Sequence, residues 1–186
     1  MTATIEEVWA ALEDLADPEI PVISLRELGI LREVRATADG LEVVITPTYS
    51  GCPAMGQIED DVRSTLKNRG ISARVVTQLA PAWTTDWMSE AGKEKLRAYG
   101  IAPPHSAAAA APAAEGQSVV RFAANMRAGR AGDTGAGGAF GAEPPVACPQ
   151  CGSTNTTETS HFGSTACKAL YRCLDCMEPF DHFKRI

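Results

Sequence analysis

Two CxxC units near the C-terminus, Cys148-Pro-Gln-Cys151 and Cys173-Leu-Asp-Cys176, constrain this chain more than any other feature. Thiolates two residues apart form a tight knuckle that grips one edge of a tetrahedral Zn²⁺. Two knuckles complete four-coordination with no open position, which marks a structural site. Gly152 supplies permissive backbone just behind the first knuckle. Segment 146–186 has 41 residues, too few for a self-sufficient core, so coordination has to supply much of its folding free energy. A small β zinc ribbon is expected there, with Phe162, Leu170, Tyr171, Phe180 and Phe183 covering its sheet. The same four thiolates could hold iron or an iron–sulfur cluster, and the spacing does not separate zinc from iron. A thioredoxin-like redox pair needs an adjoining βαβ pattern that is missing here. Cys167, six residues before Cys173, reads either as a small buried residue or as a fifth thiol. In the second reading it exchanges into the metal's shell or ligates a second centre. His161 and His182 read as surface or structural residues, because the quartet already saturates zinc.

Six cysteines would suit a disulfide framework only in an oxidising compartment. No apolar run approaches the roughly 18 residues that cross a bilayer. The start, MTATIEEVWAALEDLADPEI, is acidic and amphipathic and lacks the basic opening of a secretory signal. The expectation is a soluble cytoplasmic protein of one or two small domains whose thiols stay reduced and serve metal or reactivity. Residues 1–104 carry 10 basic and 16 acidic side chains, which accounts for the whole formal charge of −6. Four thiolates on one Zn²⁺ would make the otherwise balanced tail net negative. That works against the phosphate neutralisation on which nucleic-acid affinity depends, so docking to protein is favoured over nucleic acid.

Residues 105–145 are mostly Ala and Gly with scattered Pro, a low-complexity flexible linker. A short helix over 119–127, anchored by Val119, Val120, Phe122 and Met126, is the alternative there. Before the linker, helix and strand patterns alternate. Thr4 and Glu7 form a capping-box pair ahead of apolar Ile5, Val8, Trp9, Leu12 and Leu15, and Asp17-Pro18 stops that helix. Strand-like runs over 31–37 and 41–47 flank the hairpin signal Asp39-Gly40. Met55, Ile58, Val62 and Leu66 then fall at helical spacing, with Gly70 at the helix end. A Val-rich strand follows over 72–78, so 41–78 should be a right-handed crossover between parallel strands. A last helix over about 87–99 is expected to start on Asp86 and end at Gly100. Residues 1–104 thus predict a compact α/β (α+β) domain of about three strands and three helices.

Cys52 lies in Thr-Pro-Thr-Tyr-Ser-Gly-Cys-Pro-Ala-Met-Gly, at the opening of the second predicted helix. Pro53 suits the first helical position and Gly51 lets the backbone turn. A thiol there meets unpaired N–H groups and the positive end of the helix dipole, both of which favour the thiolate. Cys52 therefore reads either as a small buried hydrophobe or as a reactive or ligating thiol. A covalent enzyme would need a base beside it, yet no histidine occurs before His105. Soft-metal ligation survives better than nucleophilic catalysis, and no catalytic residue is expected. Trp83 and Trp87 read as core and rim aromatics, and Asp17 and Glu19 as a capped turn rather than a carboxylate site.

DPEIPVISLRELGIL, the Asp39-Gly40 hairpin, TPTYSGCPAMGQIEDDV and APAWTTDWMSEAGKEKLRAYGIAPP resemble the small domain of SufT-type iron–sulfur cluster assembly proteins over residues 5–104. With the FGSTACKALYRCLDC ribbon added, the whole chain is similar to the PaaD (PaaJ) family of phenylacetate degradation. That resemblance implies a non-catalytic accessory of the phenylacetyl-CoA 1,2-epoxidase, a multicomponent ring oxygenase. The implied role is to mature or insert its metal centres, with the iron–sulfur reductase component as client. It also implies that Cys52 takes part in holding an iron–sulfur cluster or iron, and that Cys148, Cys151, Cys173 and Cys176 hold the ribbon's structural Zn²⁺. One cysteine cannot hold a cluster, so further ligands must come from a homodimer partner, a client thiol or Cys167. Two other readings stand beside this one: a structural scaffold component of the oxygenase, and a zinc-ribbon regulator that binds nucleic acid.

Overall fold

The computed structural model describes residues 3–105 and 145–185. Most of the Ala/Gly-rich linker, with the alternative short helix over 119–127, lies outside the described residues. Helix α1 (Ile5–Leu12) opens with the capping box: the Glu7 N–H donates to Thr4 Oγ1 at 3.2 Å and the Thr4 N–H to Glu7 Oε2 at 2.8 Å. Val8 and Leu12, one turn apart, form its fully buried face. The helix ends earlier than a stop at Asp17 implies, and Leu15 follows in a turn. Asp17 organises the next turn, its Oδ1 accepting from the backbone N–H groups of Glu19 and Ile20 at 2.9 and 2.8 Å.

Strands β1 (Leu31–Thr37) and β2 (Gly40–Ile45) form the antiparallel hairpin, and helix α2 (Met55–Asn68) leads to β3 (Ala73–Thr77), which runs parallel to β2. Strand order is β1-β2-β3. Ile58, Val62 and Leu66 of α2 join Val43 and Ile45 of β2 in one core. Glu42 is held between Arg74 and Arg35, whose guanidiniums keep its carboxyl below the ordinary range. A bulge between Leu31 and Glu33 sets Arg32 apart, and its guanidinium lies 3.3 Å from the centre of the Trp87 ring.

The last helix of this half is shorter than expected. Helix α3 spans Glu90–Tyr99 and is capped by Ser89, not Asp86: Ser89 Oγ accepts from the Gly92 N–H at 3.0 Å. Thr85–Trp87 forms a 3₁₀ turn instead. That turn brings Trp87 against Gly29, whose φ is +78° and where an added Cβ would lie 2.8 Å from that of Trp87. Trp83 is buried and donates from its indole N–H to the Leu28 carbonyl at 3.1 Å.

Beyond Gly100 the chain makes one more short strand, β4 (Ile101–Ala102), and it does not join the first sheet. It pairs parallel with β7 (Pro179–Phe183), which pairs antiparallel with β6 (Lys168–Cys173), and β6 with β5 (Thr156–Ser160). The ribbon is therefore sealed to the first half by hydrogen bonds. Side chains reinforce the seam. Phe183 is fully buried with its ring 5.9 Å from that of Trp83, and both share a core with Leu96, Ile101 and Cys167. His182 donates from Nδ1 to the Ala102 carbonyl at 3.2 Å. The ribbon aromatics consequently divide. Phe180 is buried and stacks with Tyr171, Phe183 serves the seam, and Phe162 is 64% exposed and does not cover the sheet. Leu170 is also exposed. The whole is a mixed α+β architecture.

Candidate metal centre

The first knuckle precedes β5, and the second begins at the last residue of β6 and turns toward β7. All four sulfurs lie within 4.8 Å of one another, with Cys148 to Cys176 at 3.8 Å and Cys151 to Cys173 at 3.6 Å. A tetrahedron with Zn–S bonds of about 2.3 Å has sulfur–sulfur edges of about 3.8 Å, so the donor set fits the ion. Gly152, at φ +75°, lets its N–H return to the Cys148 carbonyl at 2.9 Å. In the second knuckle the Cys176 N–H donates to Cys173 Sγ at 3.5 Å. Asp175 ties the two knuckles together. It accepts from the Ser153 hydroxyl and from Asn155 Nδ2, which hold its carboxyl below the ordinary range.

Without a cation the four sulfurs frustrate one another. The Cys176 N–H and its neighbours bring Cys173 down to about 7. The Glu178 N–H favours the Cys176 thiolate, yet burial and the three neighbouring sulfurs push Cys176 up to about 12. A divalent ion removes that conflict by displacing the protons. Among the described residues, this quartet alone brings three or more Cys, His, Asp or Glu donors so close.

Cys167 does not stand beside that centre. Strand β6 separates it from Cys173, and extended chain over six residues covers about 20 Å. Exchange into the metal's shell is thereby ruled out. Cys167 is instead buried in the core shared with the first half, with Thr165 Oγ1 at 3.0 Å from its sulfur.

Cys52 is half-buried in the loop before α2. The helix begins at Met55 with Ala54 as its N-cap, so Pro53 precedes the helix rather than opening it. The expected acidic thiol is also corrected. Burial pushes Cys52 up, against the Ala54 N–H that favours its thiolate, and Cys167, Glu19 and Asp17 push the same way. Burial likewise raises Cys167, against Thr165 and Lys168.

Two further residues bear on these thiols, Tyr49 from the hydroxyl-rich loop that the sequence places beside Cys52, and Lys168, which sequence reasoning missed. Burial raises the Tyr49 phenol, and Cys52 and Cys167 push the same way, against the Ala166 N–H. Lys168 is 6% exposed, pairs with Asp181 at 3.3 Å and lies within electrostatic reach of Asp17. A lysine at a strand start carries no comparable cue.

Comparison with known proteins fits this two-part build. Residues 5–77 match the family described as iron–sulfur cluster assembly protein, and residues 133–184 match the PaaD zinc beta ribbon domain. Fold and site thus define an iron–sulfur assembly domain joined to a zinc ribbon with a four-cysteine metal-binding site. An Escherichia coli (strain K12) protein assigned to the 1,2-phenylacetyl-CoA epoxidase as one of its subunits is 43% identical over 185 residues, covering 98% of this chain and 93% of its own. The chain belongs to that family, the PaaD proteins of the phenylacetyl-CoA epoxidase. A Porphyromonas gingivalis Fe-S protein maturation auxiliary factor is 36% identical over 90 residues, 47% of this chain and 85% of that one. A solved Bacillus anthracis domain of unknown function DUF59 is 29% identical, covers 50% of this chain and 90% of that one, and superposes with a TM-score of 0.45. Among the described residues, no helix is long and apolar enough to cross a membrane.

Proposed function

We propose that this protein is a non-catalytic accessory of a phenylacetyl-CoA 1,2-epoxidase, acting in the cytoplasm to mature or insert the iron–sulfur centres of that system. The iron–sulfur reductase component is its client. The ribbon quartet holds a structural Zn²⁺, and Cys52 is the working thiol that meets iron or a cluster in transit. The observation that carries this reading is the contrast between the two sulfur environments. The quartet closes on itself, whereas Cys52 is half-buried and, among the described residues, belongs to no group of three close donors. A thiol of that kind suits passing metal on rather than keeping it. The first half, which contains Cys52, is also the part that matches the iron–sulfur cluster assembly family. Its raised pKa and the lack of any histidine before His105 argue against a nucleophile with its own base.

Anaerobic reconstitution with iron and sulfide tests this. A thiolate-to-iron absorption band that Cys52→Ser diminishes is expected, and a band unchanged in that variant removes Cys52 from the role. One observation favours a second reading. A relative named as a component of the epoxidase suggests a stoichiometric scaffold of the oxygenase. Co-purification with the assembled complex at a fixed ratio, and continued need for the protein once the reductase is mature, would select the scaffold.

A further inference from the structure

We propose that Arg32 anchors a carboxylate-binding pocket, one that takes an acidic group from a partner polypeptide. The pocket lies beyond the carboxyl ends of two parallel strands, where the ligand crevices of open α/β sheets collect. Thr46 directly follows β2 and Gln78 directly follows β3, and the Gln78 N–H donates to the Ile45 carbonyl at 2.8 Å. With Arg32, Val44, Pro81 and Trp87 they line a cavity of about 300 Å³. That is the lower end of the range for small-molecule sites, and it suits one side chain or a chain terminus better than a whole cofactor. Neither Cys52 nor the quartet lines it, so the pocket stands whether or not Cys52 meets metal.

Arg32 is the group in this cavity whose hydrogen-bonding capacity is unspent. The β1 bulge sets it apart, and its guanidinium lies 3.3 Å from the centre of the Trp87 ring. Stacking of that kind uses a face of the guanidinium and leaves its in-plane N–H fork for an acceptor. Among the described residues no acceptor engages the fork, and burial draws the Arg32 pKa down. The other arginines of this sheet are committed, Arg74 to Glu42 and Arg35 to both Glu42 and Glu33. Arg69 also has no ion pair among the described residues, but it is exposed and water meets its donors, whereas Arg32 is half-buried. A carboxylate offers two oxygens that match the fork. Glu33 reaches the cavity wall too, 3.4 Å from Arg35, and its charge disfavours a dianionic phosphate there. Thr46 also begins the loop to Cys52, six residues on, so an acidic segment held in the pocket would lie within about 22 Å of that thiol.

Acetylated tripeptides are the probes, titrated into the zinc-loaded full chain while the Trp87 indole N–H signal is followed by NMR. Gly-Ser-Glu amide offers a side-chain carboxylate, Gly-Ser-Gln free acid a terminal one, and Gly-Ser-Gln amide neither. A saturable shift is expected with one or both of the first two, which identifies the source of the carboxylate, and none with the third. Arg32→Lys keeps the charge but loses the fork, and should weaken binding by about tenfold or more. No saturable shift with either carboxylate peptide, an equal response to the neutral one, or undiminished binding by Arg32→Lys would overturn the pocket. Because that substitution also removes a stacking contact, the wild type is treated with phenylglyoxal as well and its labelled arginines are mapped. The peptide that binds should protect Arg32 while exposed Arg69 stays reactive. Arg32 labelled equally with and without that peptide would contradict the proposal.

Discussion

Asp17 and the thiols of Cys52 and Cys167 show how a residue's surroundings overrule its type. Asp17 is buried, and desolvation raises its pKa above the ordinary 3.8 despite two backbone N–H donors. A carboxyl raised in the folded state binds its proton more tightly there than in the unfolded chain. Its contribution is thus favourable below the unfolded pKa and is lost as pH rises through the folded one. Asp17→Asn keeps an acceptor for the Glu19 and Ile20 N–H groups and is expected to be at least as stable as wild type at pH 7. Wild type should lose stability relative to that variant as pH rises above the ordinary carboxylate range in urea unfolding series. Cys52 and Cys167 are also raised. Alkylation of zinc-loaded, iron-free protein should be slow at neutral pH and accelerate as pH passes 9, with half-buried Cys52 ahead of Cys167. Fast, pH-independent labelling in mass mapping would contradict that. The quartet was legible residue by residue because knuckle spacing is a local property of the chain. The state of Cys52 was not, because its burial comes from residues far away in sequence.

Among the elements, α1 and the β1–β2 hairpin were legible for the same local reason: a Thr/Glu box and an Asp-Gly turn each act within four residues. The start of α3 was not. Asp86 and Ser89 are both good caps, and packing chose between them, since Met88 is buried and the Ser89 N–H donates to the Glu27 carbonyl at 2.8 Å. Ser89→Ala is expected to cost about 1 kcal/mol in chemical denaturation, while Asp86→Ala should cost little by comparison. Equal losses would return the cap to Asp86. Strand β6 is the element that separates Cys167 from the quartet, and its length rules out exchange.

At the scale of the whole molecule, the seam is the feature that composition concealed. Ile101–Ala102 is too short to show alternation, and its partner strand lies some eighty positions away. The four-stranded sheet and the Trp83–Phe183 contact make the halves one packed unit among the described residues. Phe183→Ala is expected to cost about 3–5 kcal/mol, a large share of a typical 5–15 kcal/mol. Loss of zinc and loss of the Trp83 environment should then move together in thermal unfolding. A shift confined to zinc release would mean that the ribbon merely rests against the first half.

The central claim is a division of labour among the sulfurs, with four closed on a permanent ion and an open thiol for iron in transit. Metal content of anaerobically purified protein, before and after incubation with ferrous iron, tests it most directly. The account predicts one zinc per chain that survives Cys52→Ser and disappears when Cys148 and Cys151 become Ser. It also predicts iron uptake that Cys52→Ser diminishes. Iron seated in the quartet, or uptake indifferent to Cys52, would contradict it.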